Sequence, residues 1–267
     1  MVATITKETA KIVIPGLEVF DTNDWTQLGT NWTLYGQGGA GKTTLPASLE
    51  DSEFGPVLYG ASESGISVLQ GLGVQYVNIN NWDDSAKLLK AFKGPNPPPV
   101  KSVALDNLSE MADKCKWFVS PSGQPTQPEW NKITNLMLNM IRDWRDLTKV
   151  MDLNVFFLAW DADERDELNF VKKDINFTPA LRKAFPGIVD TVGHIDVLDR
   201  RPDMRKITFA PSPKTIAKFR RAATSNARKI PYEIYYGLDN MPLVDIMRTL
   251  KSDKEWPAAK YPVPQAA

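Results

Sequence analysis

A glycine-rich segment in the first fifth of the chain combines the residue types and the spacing that bind phosphate groups. It fits the pattern G-x-x-x-x-G-K-[ST]. The segment, hereafter the phosphate loop, consists of Gly36, Gln37, Gly38, Gly39, Ala40, Gly41, Lys42, Thr43 and Thr44. Its glycines allow backbone amides to approach phosphate oxygens, and a helix expected directly after it adds the partial positive charge of its amino end. We expect Lys42 to reach the β- and γ-phosphates of ATP and the Thr43 hydroxyl to bind Mg²⁺.

Magnesium bound at the phosphate loop needs a second oxygen ligand, which an acidic residue at the end of a neighbouring strand can supply. Asp106 follows the apolar run 103–105, at the carboxyl end of an expected strand, where ligands of open α/β sheets bind. We therefore expect Asp106 to bind the metal together with Thr43. The alternative is that Asp106 caps the helix expected at 108–112, and the same geometry allows both roles.

ATP hydrolysis also needs a carboxylate that orients or deprotonates the attacking water. Glu63 lies in the small-residue turn 61–65, which follows the short apolar run 57–59. This position leaves its side chain free at the same edge of the sheet as the phosphate loop. From the residues alone, an ordinary exposed loop glutamate, or the first acidic residue of the next helix, explains Glu63 at least as well.

The elements that must position these residues follow from the apolar pattern. Short apolar runs bounded by turn residues predict strands at 32–35, 57–59, 100–105, 155–159, 194–198 and 206–209. The clearest helical pattern places six apolar residues on one face: Ile133, Leu136, Met137, Met140, Ile141 and Trp144. Alternating strands and helices predict an α/β fold with a mostly parallel sheet that helices cover on both faces. The last two strands are expected to form an antiparallel hairpin at one edge of the sheet.

Length and composition predict one large domain with shorter segments at its ends. The chain has 267 residues, of which 42% are apolar and 24% charged, so a substantial core can form. We expect the domain at 31–251, an arm at 1–30 and a tail at 252–267. Cys115 and His194 are the only residues of their types, which excludes a disulfide framework and most histidine-dependent catalysis. We expect His194 to be a packed or capping residue.

No feature of the sequence predicts a membrane protein or a secreted protein. The longest apolar runs, such as 155–160, are too short to cross a bilayer. The first thirty residues mix charged and apolar positions and lack the pattern of a secretory signal. We therefore expect a cytoplasmic protein without a membrane partner.

Two polar segments and one basic segment are candidates for contacts with a polyanion. Residues 120–129 are rich in Pro, Ser and Gln, and residues 161–173 are polar and charged without a clear period, so both are expected to be long loops. Between 199 and 229 there are ten basic residues against two acidic ones, although the net charge of the chain is zero. The alternative is a solvated basic face that acidic clusters elsewhere balance.

In their order and spacing, these motifs resemble the RecA-like ATPases, and in particular the small phage-encoded Sak-type recombinases, which assist single-strand annealing. The resemblance covers residues 32–250 and rests on the phosphate loop, the turn at Glu63, the strand that ends at Asp106 and the two polar segments. It implies a RecA-like P-loop NTPase core in which Glu63 is the catalytic base.

The resemblance also implies partners for the chain. Single-stranded DNA would bind to 120–129 and 161–185, with the basic segment 200–229 as a further contact. Identical chains would assemble into a ring or filament. A single-strand-binding protein is a further candidate partner. The location that the resemblance implies is the cytoplasm of a phage-infected host.

The triplet Lys218-Phe219-Arg220 is similar to the Lys-x-Arg pair that RecA-like oligomers insert into the ATP site of a neighbouring copy. The resemblance implies that Lys218 and Arg220 stabilise charge on the γ-phosphate during hydrolysis. Surface charge and a DNA contact are the alternatives for these two residues. The chain departs from the family at Trp160-Asp161, where a polar sensor such as Gln or His is usual.

The function that these features favour is an ATP-dependent, DNA-stimulated recombinase or annealing protein that binds single-stranded DNA and hydrolyses ATP as an oligomer. Two other classes of protein also fit the phosphate loop. One is a ring helicase or translocation motor, which usually carries further domains. The other is a nucleotide-dependent loader or switch that acts on a replication protein.

Overall fold

A ten-stranded mixed sheet forms the centre of the protein in a computed structural model that describes residues 15, 28–165, 171–198, 201–221, 226–252 and 254–264. The strands are β1 (Thr30–Gly36), β2 (Val57–Ala61), β3 (Gln75–Asn78), β4 (Ser102–Asp106), β5 (Asn154–Arg165), β6 (Val171–Ile175), β7 (Thr191–Leu198), β8 (Arg201–Thr208), β9 (Lys218–Phe219) and β10 (Glu233–Gly237). The α-helices are α1 (Thr44–Ala47), α2 (Trp82–Lys93), α3 (Leu108–Val119), α4 (Gln127–Val150), α5 (Pro179–Ile188) and α6 (Leu243–Lys251). Short 3₁₀ helices occupy Ser64–Leu69, Asn226–Lys229 and Ala258–Lys260.

The strand order is β10-β8-β7-β1-β5-β4-β2-β3, with β6 paired to β5 and β9 paired to β7. Neighbours from β7 to β3 along this order are parallel, whereas β8 and β10 are antiparallel to their neighbours. The carboxyl ends of the parallel strands therefore meet at one edge, hereafter the phosphate edge, where β1 ends in the phosphate loop. The predicted α/β fold with a mostly parallel sheet is confirmed.

Apolar side chains alternate between the two faces of the sheet, as the period of two in a strand requires. On β5, Phe157 packs into the core with α2, α3, α4 and α5, whereas Phe156 packs into the core with α1 and α6. Trp144 of α4 is buried in the first of these cores, with its ring centroid 5.1 Å from that of Phe92. Because both faces of β5 are sealed from water, its end is held in place at the phosphate edge.

Helix α4 confirms the predicted apolar face and corrects the loop before it. The helix has 24 residues, and the predicted face is buried except at Leu136, which is partly buried. It begins at Gln127 because the Glu129 carboxylate accepts hydrogen bonds from the N–H and O–H groups of Thr126, at 2.7 and 2.9 Å. These bonds, above all the one from the N–H group, lower the pKa of Glu129. The loop expected at 120–129 therefore ends at residue 126.

Residues 161–165 and 171–173 lie in two paired antiparallel strands, so the prediction of a long loop is wrong for these residues. Strand β5 continues to Arg165, beyond its pairing with β1 and β4, and pairs there with the antiparallel β6. Charged side chains pair on this ribbon, where Lys173 Nζ lies 2.6 Å from Asp163 and 3.4 Å from Asp161. A ribbon held together by ion pairs lacks apolar alternation, which is why the sequence pattern does not reveal its strands.

The predicted antiparallel hairpin is present as β7 and β8, with His194 opposite Thr208. It does not form the edge of the sheet as expected, because β10 pairs with the outer side of β8. His194 is buried within β7, and its ring centroid lies 4.7 Å from that of Tyr35, which confirms the prediction of a packed residue.

Several predicted segments fall partly outside the described residues. These parts are 1–14 and 16–27 of the expected arm, 166–170 of the second expected DNA-binding segment, 200 and 222–225 of the basic segment, and 253 and 265–267 of the tail. The described part of the tail packs on α6, where the Tyr261 hydroxyl donates to the Asp245 carboxylate at 2.7 Å. No helix in the described ranges is long and apolar enough to cross a membrane.

Candidate nucleotide-binding site

The phosphate loop leaves β1 at the phosphate edge, and its conformation there requires glycine. Gly39 and Gly41 have φ angles of 75° and 93°, in the left-handed region that residues with side chains rarely adopt. A Cβ placed on Gly38 or Gly39 would meet no atom within 4 Å, so the loop presents bare backbone to open space there. A phosphate group needs such access in order to approach backbone amides.

Lys42 lies over the phosphate loop and is 7% exposed. Its ammonium group donates to two backbone carbonyl groups at the start of the loop, at 2.9 Å each. Burial lowers its pKa, and the negative charges of Asp106, Asp161 and Glu63 oppose that shift. The predicted phosphate-binding lysine is thus held at the loop, close to three carboxylates.

The two residues predicted to bind Mg²⁺ contact each other directly. The Thr43 hydroxyl donates to Asp106 Oδ2 at 2.7 Å, and Asp106 is 2% exposed. Its Oδ1 atom is buried and accepts no hydrogen bond from any described residue. Burial raises the pKa of Asp106 to about 6, with Glu63 adding to the shift and Thr43 and Lys42 opposing it. A threonine oxygen beside a buried carboxylate with an unused acceptor atom fits a hard divalent cation such as Mg²⁺.

The sheet sets the distance between the phosphate loop and Asp106. Strand β5 lies between β1 and β4, so the ends of these two strands stand two positions apart, or about 10 Å. Tyr59 of β2 holds the far end of the loop, because its buried hydroxyl donates to the backbone carbonyl of Thr43 at 2.6 Å. The sequence gives no signal for this role, since an aromatic residue in a short apolar run indicates only a core position.

Glu63 stands beside Asp106, at the start of the 3₁₀ helix Ser64–Leu69, and is partly exposed. The parallel pairing of Ala61 with Asp106, and a hydrogen bond from the Ser62 N–H to the Asp106 carbonyl at 2.7 Å, bring the end of β2 to the phosphate edge. The charge of Glu63 acts to raise the pKa of both Asp106 and Lys42. The structure therefore brings Glu63 together with the phosphate loop and Asp106.

The helix predicted after the phosphate loop is present but short. Helix α1 has four residues and passes into tight turns, in which the N–H of Leu49 donates to Pro46 and that of Glu50 donates to Ala47, both at 3.0 Å. A helix of a single turn carries only a small dipole. The helix amino end expected after the loop is therefore present, but its contribution is small, and Lys42 and the loop amides remain the main predicted phosphate-binding groups.

The basic segment 200–229 is not the continuous exposed surface that its composition predicts. Arg205 is buried against the phosphate loop, where its Nε donates to the Ala40 carbonyl at 3.1 Å. Arg221 donates to three backbone carbonyl groups and lies over the ring of Tyr232, 4.1 Å from its centroid. Both guanidinium groups are used within the fold, so the prediction of a polyanion surface is wrong at these two positions.

Lys218 and Arg220 lie away from the phosphate loop of their own chain. Lys218 opposes Val192 of β7, which opposes Thr33 in the middle of β1. Its Nζ donates to two backbone carbonyl groups at the end of α5, at 2.7 and 2.9 Å, and burial lowers its pKa. Arg220 pairs with Asp190 at 2.6 Å, and its side chain is 59% exposed. The structure does not bring these two residues together with the other predicted site residues.

Asp161 lies where β5 leaves the phosphate edge and begins to pair with β6. Its carboxylate is 11% exposed and lies 3.4 Å from Lys173 Nζ and 3.9 Å from His194 Nε2. Its charge also acts to raise the pKa of Lys42. The carboxylate of Asp161 thus lies near Lys173 and His194 and acts on Lys42 only through its charge.

Nucleotide phosphates, a divalent cation and a nearby glutamate can meet at the phosphate edge of this sheet, which is the arrangement of a P-loop ATPase with a RecA-like fold. In agreement, the chain belongs to the AAA_24 family of AAA domains, whose model matches residues 29–221. No characterised protein matches the chain in sequence. Among solved structures, the crystal structure of the RadB recombinase is similar, with a TM-score of 0.46 and 14% sequence identity, covering 67% of this chain and 79% of that chain.

Asp106→Asn is expected to stabilise the nucleotide-free protein at about pH 8, because it removes a buried carboxylate. The pKa of the Asp106 carboxyl is about 6 in the folded chain, whereas the ordinary pKa of an aspartate side chain, which applies in the unfolded chain, is 3.8. The free energy of unfolding therefore falls as the pH rises from about 4 to about 6, by about 3 kcal/mol at most. The variant lacks this fall, which urea unfolding in EDTA at about pH 4 and about pH 8 measures.

The matched control is Asp113→Asn, at an exposed position of α3. This control is expected to keep the pH dependence of the wild type. Wild-type pH dependence in Asp106→Asn, or a loss of stability in that variant at about pH 8, would contradict the assignment of a buried carboxylate with a raised pKa.

Proposed function

We propose that the protein is an ATPase that binds single-stranded DNA and assists recombination or annealing as an oligomer. One observation carries this proposal: the nucleotide site and a groove suited to single-stranded nucleic acid both open near the phosphate edge of the sheet. Strand β5 connects them, because its residues Trp160 and Asp161 adjoin the groove and the nucleotide site respectively.

In the proposed reaction, the phosphate loop binds the phosphates of ATP through its amides and Lys42. Lys42 exchanges its carbonyl acceptors for phosphate oxygens, which are stronger acceptors because they are charged. Thr43 and Asp106 would hold Mg²⁺, which would supply positive charge against the phosphates. Glu63 accepts a hydrogen bond or a proton from the attacking water.

A cavity of about 680 Å³ beside α1 offers room for the ribose and the base. It begins at Thr44 and Ser48 and is bordered by Leu72 and by the loop 238–241 that follows β10. Because Thr44 is the last residue of the phosphate loop, the nucleoside would leave the phosphates in this direction. Polar and apolar groups both line the cavity, which suits a ligand with a flat ring and hydroxyl groups.

Glu63→Gln is expected to lower the rate of ATP hydrolysis by about 100-fold or more and to leave the Kd for ATP almost unchanged. The amide keeps the size of the side chain but cannot take up a proton from water. Steady-state hydrolysis and equilibrium binding of a fluorescent ATP analogue measure the two quantities separately. Glu110→Gln in the first turn of α3 is the matched control and keeps the wild-type rate. An equal loss of binding and hydrolysis in Glu63→Gln would contradict the role assigned to Glu63.

A groove of about 260 Å³ lies between α3, α4 and the beginning of α5, near both segments predicted to bind DNA. Lys116, Trp130 and Asn176 contribute to its lining. The N–H of Asn176 donates to the Trp160 carbonyl at 2.9 Å, and the N–H of Trp160 donates to Ser109 Oγ at 3.2 Å. These bonds fix the groove to β5, next to the phosphate edge.

Two large aromatic side chains at the end of α3 are exposed, Trp117 to 55% and Phe118 to 49%. Lys116 Nζ lies 5.8 Å from the centroid of the Trp117 ring. The loop 120–126 rests on the same ring, since a Cβ on Gly123 would approach it to 2.7 Å. Aromatic faces beside lysines suit single-stranded nucleic acid, because bases stack on the rings and ammonium groups contact the phosphates.

Three acidic residues of β5 are paired with basic side chains, which lessens their opposition to this use of the surface. Lys173 pairs with both Asp161 and Asp163, and Arg182 pairs with Glu164. These carboxylates therefore have basic partners within the described residues, which reduces the repulsion that the hairpin exerts on a DNA phosphate.

Assembly of several copies is part of the proposal because Lys218 and Arg220 cannot reach the site of their own chain. Arg220 is the better placed of the two to reach a neighbouring copy, since its side chain is mostly exposed. Lys218 is engaged at the end of α5 and would support the position of Arg220. A guanidinium group from a neighbour would stabilise charge on the γ-phosphate.

The double variant Trp117→Ala, Phe118→Ala is expected to weaken binding of single-stranded DNA by about tenfold or more, because each stacked base contributes about 1–3 kcal/mol. Fluorescence anisotropy of a labelled oligonucleotide, with ATP and at several salt concentrations, measures the affinity. Tyr76→Ala is the matched control, since it removes a ring of 52% exposure at the far edge strand β3. Wild-type affinity should fall as salt rises. Unchanged binding by the double variant, or affinity that is independent of salt, would contradict the proposed surface.

A further inference from the structure

Arg205 reaches the phosphate loop from the antiparallel part of the sheet. It lies on β8, between β7 and β10, and is 165 positions away from Ala40 in the sequence. Its side chain is buried, although arginine is rarely buried without a partner. Neither the phosphate loop nor the proposed DNA surface accounts for a guanidinium group at this place.

The guanidinium group of Arg205 binds two segments at once. Towards the phosphate loop, Nε donates to the Ala40 carbonyl at 3.1 Å and Nη2 donates to the Gly39 carbonyl at 3.4 Å. Towards its own strand, Nη1 donates to the carbonyl groups of Pro202 and Met204. All four acceptors are backbone carbonyl groups, so the planar group fixes the loop relative to β8.

We infer that Arg205 is a positioning residue for nucleotide binding, which fixes peptide groups of the phosphate loop from the side of their carbonyl oxygens. The peptide groups that follow Gly39 and Ala40 adjoin two glycines with positive φ, Gly39 and Gly41, and such peptides rotate at little steric cost. Holding the Ala40 carbonyl fixes the N–H group of Gly41, because both belong to one planar peptide. The amides are therefore oriented before ATP arrives.

The positive charge of Arg205 also favours binding of the phosphates. The guanidinium group donates hydrogen bonds to the loop that would bind the phosphates. It is buried, and attraction between charges is stronger in such a poorly solvated place than in water. Lys42 supplies positive charge on the side of the loop that would face the phosphates. Arg205 supplies positive charge on the side of the loop where the carbonyl oxygens of Gly39 and Ala40 lie. This inference rests on ATP binding at the phosphate loop and is independent of DNA.

The experiment compares Arg205→Ala and Arg205→Lys with the wild type. The Kd for a fluorescent ATP analogue with Mg²⁺ and the midpoint of thermal unfolding without nucleotide are measured for each protein. Arg201→Ala is the matched control, because Arg201 lies exposed on the same strand. We expect Arg205→Ala to raise the Kd by about 10- to 100-fold, since buried hydrogen bonds from a charged donor are lost. Arg205→Lys should raise it less, and Arg201→Ala should leave it unchanged.

Chemical rescue separates positioning from a purely structural role. Guanidinium ion at low millimolar concentration should lower the Kd of Arg205→Ala and leave that of the wild type unchanged. The inference is overturned if Arg205→Ala binds ATP within about twofold of the wild type. It is also overturned if the rise in Kd only follows the fraction of unfolded protein and guanidinium restores nothing. If Arg205→Ala does not fold, Arg205→Lys decides, and a folded Arg205→Lys with wild-type Kd overturns the inference. Failure of the wild type to bind ATP would instead contradict the proposed function.

Discussion

The hydrogen bond between Thr43 and Asp106 is the contact on which the nucleotide site depends. It joins a loop after β1 to the end of β4, although β5 separates these strands. The contact therefore requires three parallel strands in one register. That register is fixed because both faces of β5 are buried, so a slip of one residue would exchange the two cores that receive Phe156 and Phe157. Tyr59 adds a fourth strand to this arrangement by holding the Thr43 carbonyl.

The site concentrates buried charge at one edge of the sheet, and the rest of the fold must compensate for it. Lys42, Asp106 and Arg205 are each buried, which costs free energy unless polar partners replace water. Backbone carbonyl groups accept hydrogen bonds from Lys42 and Arg205. Asp106, in contrast, keeps one carboxylate oxygen without a hydrogen-bond partner among the described residues. Incomplete satisfaction of a buried carboxylate is typical of a binding site, and the two apolar cores supply the stability that it requires.

Features that depend on neighbours in the sequence could be predicted, and features that depend on distant partners could not. The phosphate loop and Asp106 each follow a short apolar strand, and the spacing of residues in these motifs carries their chemistry. The apolar face of α4 was predictable for the same reason, because its period lies within one helix. Arg205 is the opposite case: the local excess of basic residues indicates an exposed surface, whereas its partner Ala40 lies 165 positions away. No local pattern contains that contact.

Strands without apolar alternation were missed for a related reason. Strand β3 is exposed along its length, and β6 is held in the hairpin by ion pairs with β5, so neither shows the periodic apolar residues on which prediction depends. The sequence after Thr44 predicted a helix but not its end, which only the tight turns from Ser48 onward show.

We propose that ATP hydrolysis at the phosphate loop is coupled to single-stranded DNA in an assembly of several copies. The most direct test is the steady-state rate of ATP hydrolysis by wild type and Lys42→Ala, with and without a single-stranded oligonucleotide, over a range of protein concentrations. We expect a rate per chain that rises with DNA and with protein concentration, and that is lost in Lys42→Ala because the phosphates lose their charged partner. Hydrolysis that DNA leaves unchanged, or that persists in Lys42→Ala, would contradict this claim.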